Sequence, residues 1–216
     1  MDSSAPLAIT ISRQLGCGGG RIAHALATRL GFHLADREIL EKAAAEFHIP
    51  LEDLESREER FRPDWSPLLN FGPFTPDIFM PTTIPISPLD ILPTNRELYA
   101  VESAIIAKLA SERPCVILGR CGFHVLRNHP RHIAVALHAD TDFRIQALRE
   151  GHGLDPDAAR ERLVTNDQAR SEYILECTGH HAFDARSFEV SLETSRIGLD
   201  RCVDLIAAYV EARSAS

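Results

Sequence analysis

The chain has no apolar run approaching the ~20 residues that a membrane-crossing helix needs, and no basic segment leading into a hydrophobic stretch near its start. No spanning segment or secretory signal is read, and the cytoplasm is the expected location. An excess of positive charge is missing as well: 23 Lys and Arg stand against 31 Asp and Glu, a formal net charge of -8. That balance argues against a nucleic-acid or anionic-membrane surface, because both attract basic patches. The cysteines, Cys17, Cys115, Cys121, Cys177 and Cys202, are odd in number and irregular in spacing. Such a set fits reduced thiols better than a disulfide framework. Zinc-like spacing is absent too, since His180-His181 beside Cys177 has no second pair to complete four ligands. No internal repeat is present.

Glycine is scarce, 12 residues in all, yet four of them fall at positions 16, 18, 19 and 20. A short β-branched run, Ile9-Thr10-Ile11, leads through Ser12-Arg13-Gln14-Leu15 into Gly16-Cys17-Gly18-Gly19-Gly20, and Arg21-Ile22-Ala23 opens an apolar helical pattern. Residues without Cβ reach positive φ and let a ligand approach the main chain. The helix that follows adds unpaired amides and the positive end of its dipole, which favour an anion. The plainer alternative is a tight strand-to-helix turn without a ligand. In the usual nucleotide loop a lysine reaches the terminal phosphates and a Ser or Thr hydroxyl helps to hold magnesium. Here Gly19 falls where that lysine belongs, Gly20 where the hydroxyl residue belongs, and Arg13 where the first glycine belongs. The missing charge must come from elsewhere, and Arg13 and Arg21 are the nearest sources.

At 216 residues the chain can build one domain with a substantial core. Periodicity predicts strands near 7–12, 32–35, 114–118, 132–138 and 187–192. Helices are predicted near 19–30, 37–47, 96–112, 141–150, 156–177 and 199–212. Short, continuously apolar strands separated by helices, such as Val116-Ile117-Leu118 and Ile133-Ala134-Val135-Ala136-Leu137, belong to a parallel sheet covered on both faces. The fold class is α/β, with ligands expected beyond the carboxyl ends of the strands. The stretch 61–93 differs in kind: eight prolines alternate with Phe61, Trp65, Phe71, Phe74 and Phe79. Proline at that density excludes a helix or central strand, and the aromatics argue against a solvated linker. An insert packed on its own domain, a substrate-side flap and a contact between two copies of the chain all remain open.

Ser12-Arg13-x-x-Gly16-x-Gly18-Gly19-x-x-Ile22-Ala23, then Leu30-Gly31-Phe32 and Asp36-Arg37-Glu38-Ile39-Leu40, resemble the start of the cytidylate kinase-like family. Cys115 to Arg120 and Asp167-x-x-Arg170-x-x-Tyr173 extend the likeness over nearly the whole chain. One departure is Glu193, which occupies an asparagine position of the family's closing segment. The resemblance implies a P-loop nucleoside monophosphate kinase fold, a three-layer arrangement around a parallel sheet of about five strands. It also implies a single domain over 1–216, with an acceptor-side insert at 37–100 and a lid-like region at 144–185. The implied reaction moves the γ-phosphate of ATP, carried with magnesium, to CMP or a related small acceptor. Metal ligands of the protein's own are not expected beyond help from Ser12. A catalytically weak nucleotide-binding regulator, or a scaffold using the 61–93 insert, are the other readings.

By that resemblance Arg13, Arg120, Arg144 and Arg170 carry the catalytic charge, because a guanidinium pairs with phosphate oxygens in two places and does not titrate in the working range. Ser12, Gly16, Cys17, Gly18, Gly19, Gly20 and Arg21 would cradle the donor phosphates, and Arg144, Arg149 and Arg162 would belong to the lid. Asp36, Arg37, Arg120, Asp167 and Arg170 would face the acceptor. Asp36 as a helix cap, and Asp167 with Arg170 as a local surface ion pair, are the simpler alternatives. Arg120→Ala is expected to weaken transfer or acceptor binding by at least ~1–3 kcal/mol while leaving the melting temperature nearly unchanged.

Overall fold

The strand that feeds the glycine-rich turn is the spine of the sheet. In the computed structural model, which describes residues 5–54 and 93–214, β1 (Ala8–Arg13) runs between β3 (Cys115–Leu118) and β4 (His132–His138). β2 (His33–Ala35) and β5 (Val190–Glu193) form the two edges. All four pairings are parallel, with Ile9 opposite both Val116 and Ile133. β3 is buried throughout, and so is β4 up to Leu137, as expected for continuous apolar strands enclosed by helices.

Helices cover both faces. On one side α1 (Gly19–Leu30) and the C-terminal helix Leu199–Ser214 press Ile22, Leu26, Cys202, Ile206 and Val210 onto Ile9, Ile11, Val116 and Val135. On the other, Ile106, Leu109 and Ala110 pack against Ala8, Ala35 and Ile117. They come from α3 (Asn95–Glu112), which comes after α2 (Arg37–Phe47) and a helical stretch at 51–54. A capping box, Thr94 with Glu97, starts α3. The three layers and five parallel strands are those expected from sequence. The 61–93 insert lies outside the described residues, apart from Pro93.

A helical stretch at 51–54 and two short helices lie outside the segments that periodicity predicts. α4 (Gly122–Val125) follows β3, and α7 (Thr194–Ile197) links β5 to α8 (Leu199–Ser214). β5 begins at Val190 rather than near 187, because Asp184 accepts from the Arg186 amide and winds Ala185–Ser187 into a 3-10 turn. Between β4 and that turn, α5 (Thr141–His152) and α6 (Pro156–Thr178) form a helical hairpin. Its inner face, Ile145, Leu148, Ala159 and Leu163, closes on Leu15.

The sheet also encloses a titratable group. His132, opposite Ala8 in the register, meets the Thr10 hydroxyl at 2.7 Å through Nε2. Burial, with His129 adding to it, pushes its pKa down from 6.5 to about 4. Above the unfolded value the ring is neutral in both states, and its contribution to stability is complete. As pH falls toward the folded value, the unfolded chain takes up a proton that the folded chain refuses, so stability declines, by about 3 kcal/mol from this group. His132→Gln keeps a partner for Thr10 and does not titrate. Urea unfolding near neutrality and near pH ~4 is expected to show a smaller acid loss in the variant by that amount.

Candidate active site

β2 and β3 lie on one side of β1 and β4 and β5 on the other, so the direction of strand addition reverses at β1. A crevice opens at such a point. The chain leaves β1 at Arg13 and turns into α1 through residues 14–18. Gly16 and Gly18 stand at φ 76° and 79°, in the left-handed region. Space forbids a side chain there as well: a Cβ would lie 2.8 Å from the Arg144 carbonyl oxygen at Gly16 and 2.6 Å from Leu199 Cδ2 at Gly18.

Three alternate carbonyls of this turn are held by side-chain donors. Arg170 Nη1 donates to the Arg13 carbonyl. Arg144 Nε donates to that of Leu15 at 2.6 Å, and Thr194 Oγ1 to that of Cys17 at 2.7 Å. A carbonyl oxygen facing a phosphate would repel it, so occupying these oxygens with donors suits an anion-binding turn. Cys17 itself is buried, and its thiol donates to Leu137 O at 3.6 Å. Burial raises the thiol's pKa against the pull of the Gly19 amide and of Arg13, Arg170 and Arg144. It stays protonated, and its contribution to the turn is through the backbone.

A second turn lines the other side. β3 ends at Leu118, and Gly119, Arg120 and Cys121 follow at φ 76°, 54° and 52°. Two consecutive non-glycine residues in the left-handed region are costly and persist only where the surroundings enforce them. Here the anchor is Glu102 of α3, which forms an ion pair with Arg120 Nη1, both side chains being 2% exposed. Tyr173 Oη donates to the second Glu102 oxygen at 3.5 Å. Burial, and then the Glu102 charge, push the phenol far above its ordinary range, so it remains a donor.

Between the end of β1, at Ser12 and Arg13, and the Gly119–Cys121 turn lies a cleft partly open to solvent. Ser12, Arg13, Arg120 and Arg170 line its polar side and Phe123, Phe183 and Phe188 its apolar side. The Phe123 and Phe188 rings lie 5.2 Å apart. Guanidinium groups beside aromatic rings suit an anionic group joined to a flat apolar body.

Of the residues expected here, Arg13, Arg120, Arg170 and Ser12 do meet. Arg144 does not reach the cleft as a lid arginine: it is 4% exposed, spent on Leu15 and on Asp167 Oδ1 at 2.7 Å. These contacts tie the turn to α5 and, through Asp167, to α6. Gly19 is buried at the start of α1, while Gly20 and Arg21 are exposed and do not line the cleft. Neither do Asp36 and Arg37, and Arg37 Nε meets Glu41 of its own helix at 3.0 Å. Asp36 precedes α2 but its side chain makes no capping hydrogen bond to it. Arg149 binds Gln146 on an exposed surface. Glu193 caps α7 by accepting from the Arg196 amide at 2.8 Å, and accepts from the Asp140 amide as well.

Sequence reasoning missed Glu102, Thr194 and the three phenylalanines. Glu102 left a signal: Leu98, Glu102, Ile106 and Leu109 share one face of α3, so an acid interrupts an apolar stripe. Among the described residues no group of three or more His, Cys, Asp or Glu is placed to hold a metal ion.

The model of the cytidylate kinase-like family matches residues 8–196. An uncharacterized protein from Eubacterium ventriosum ATCC 27560 superposes with a TM-score of 0.66 at 20% identity, over 95% of this chain and 98% of that one. Shikimate kinase from Bacteroides thetaiotaomicron gives 0.53 at 12% identity, over 95% and 98%. A gluconokinase from Sinorhizobium meliloti 1021 gives 0.51 at 15%, over 96% and 95%. No curated protein matches significantly. The fold is thus that of the P-loop kinases.

The buried pair corrects the expectation that Arg120→Ala leaves the melting temperature nearly unchanged, because removing either partner strands a charge. Glu102→Ala and Arg120→Ala are each expected to cost about 3–5 kcal/mol of unfolding free energy, measured by denaturant titration. Glu102→Leu combined with Arg120→Met is expected to recover most of that loss.

Proposed function

Because the chain belongs to the cytidylate kinase-like family, we propose that it transfers the γ-phosphate of ATP to CMP or a related small acceptor. The observation that carries this reading is the convergence of Arg13, Arg120 and Arg170 on one cleft at the switch point of the sheet, beside the glycine-rich turn. Phosphoryl transfer asks a protein mainly to align two phosphates, exclude water and offset spreading negative charge. The donor phosphates sit over the turn at 16–20, where main-chain amides and the N-terminus of α1 face them. The acceptor lies in the cleft, its phosphate at Arg120 and Arg170 and its ring along Phe123, Phe183 and Phe188.

Glu102 fixes the Arg120 guanidinium and keeps the acceptor contact oriented. Arg170 serves twice, since one nitrogen already holds the Arg13 carbonyl and so ties the acceptor side to the donor turn. Magnesium enters with ATP as part of the substrate and neutralises donor charge, and Ser12 is the hydroxyl nearest to hand in the cleft lining. No helix among the described residues is long and apolar enough to cross a membrane.

The second reading, a nucleotide-binding regulator with weak turnover, is favoured by the absence of a lysine at Gly19 and of a hydroxyl at Gly20. Purified protein with ATP, magnesium and a panel of nucleoside monophosphates separates the two. The kinase reading expects ADP release that depends on the acceptor and is fastest with CMP. ATP-dependent thermal stabilisation without ADP release would establish the regulator instead.

A further inference from the structure

The glycines of the turn are not equivalent. Gly16 and Gly18 need a left-handed backbone, but Gly19 is the first residue of α1 and is not among the residues with positive φ. Any residue could adopt its conformation, so its lack of a side chain has another cause, and the packing supplies one. A Cβ on Gly19 would lie 2.6 Å from Arg13 Cδ, 2.9 Å from Arg13 Cβ and 3.3 Å from Arg13 Cγ. The stem of Arg13 crosses the ground from which a side chain at 19 would rise. At Gly20, by contrast, a Cβ would meet nothing within 4 Å.

In the usual loop, the position of Arg13 is glycine and that of Gly19 is the lysine that reaches the terminal phosphates. This chain has the opposite arrangement at both places. We propose that the two positions are a reciprocal exchange: Arg13 delivers from the strand end the cationic contact to a triphosphate donor that lysine delivers from the helix, and Gly19 is bare so that Arg13 can pass. The proposal rests on the donor site assigned above and adds which residue grips the donor and why its neighbour is glycine.

The rest of the site agrees with it. Arg13 is 8% exposed, ends β1 where the turn begins and lines the cleft with Arg120 and Arg170, so its charge stands where donor and acceptor phosphates would meet. Its carbonyl is held by Arg170, which fixes the point where the stem departs. The chemistry changes in one respect. A guanidinium presents a planar fork to two oxygens at once, whereas an ammonium is a point charge that suits one phosphate oxygen after another. The exchange therefore favours a polyphosphate whose non-bridging oxygens lie in one plane across the fork.

The test reverses the exchange. Arg13→Gly, Gly19→Lys and the double variant are compared with the wild type by calorimetric titration with ATP and with inorganic tripolyphosphate, and by thermal melting without ligand. Arg13→Gly is expected to weaken both ligands by roughly ten- to a hundred-fold, the scale of one charge-assisted hydrogen bond. Gly19→Lys alone is expected to melt lower through collision with the Arg13 stem. The double variant is expected to melt above Gly19→Lys and to bind ATP within a few-fold of wild type. A folded double variant that binds no better than Arg13→Gly overturns the exchange.

Should the lysine variants fail to fold, a methyl group tests the packing. Gly19→Ala is expected to lower the melting temperature when Arg13 is present and to leave it unchanged or raise it in the Arg13→Gly background. Gly20→Ala is expected to be insensitive to residue 13, and equal effects of Gly19→Ala in both backgrounds would overturn the proposal. Wild-type protein that binds neither ligand would instead overturn the donor site itself, and this proposal with it.

Discussion

Three hydrogen bonds to alternate main-chain oxygens hold the shape on which the rest of the site depends. The carbonyls of Arg13, Leu15 and Cys17 accept from Arg170, Arg144 and Thr194, which come from α6, α5 and α7. A strand-to-helix turn of this kind binds an anion only if its oxygens are drawn off. Glycine supplies the required torsions but does nothing to choose among the many turns it allows. The choice is made by donors from three elements distant in sequence. Two are guanidinium groups, whose bonds to a neutral carbonyl are stronger than those of an uncharged donor.

Charge in the cleft is organised by the same economy. Glu102 is enclosed with Arg120, so this side of the cleft carries a buried carboxylate that offsets part of the positive field. A pair of this kind contributes little to stability beyond what packed apolar groups would give. What it supplies is direction, because the left-handed backbone at Arg120 and Cys121 would otherwise relax. The orientation of the guanidinium is thus fixed at two points, by torsion at its root and by a carboxylate at its tip.

Much of this was legible in the sequence. Continuous apolar strands alternating with helices gave the parallel sheet, and the glycine cluster after β1 marked the turn, since both signals are local. Arg13, Arg120 and Arg170 could be placed because each follows a strand end or belongs to a matched motif. The burial of Arg144 could not be read from the sequence, since one hydrogen bond to Leu15 and one to Asp167 decide it. Nor could the absence of Asp36 and Arg37 from the cleft lining, which depends on how distant elements pack. Glu102 was the avoidable miss: an acid on an apolar stripe is visible without any structure. The edge strand β5 was displaced because an aspartate-capped turn consumed the residues before it, a competition among local bonds that periodicity does not weigh.

The helical hairpin has a mechanical consequence. Arg144 reaches the turn from α5 and Arg170 reaches it from α6, while Leu15 is clasped by the apolar faces of both. The roots of the hairpin therefore cannot swing away without unhooking two carbonyls and uncovering a leucine. The hairpin is thereby braced at the ends nearest the loop, while the Gly153 bend that joins its two helices carries no such bond to the loop among those described above.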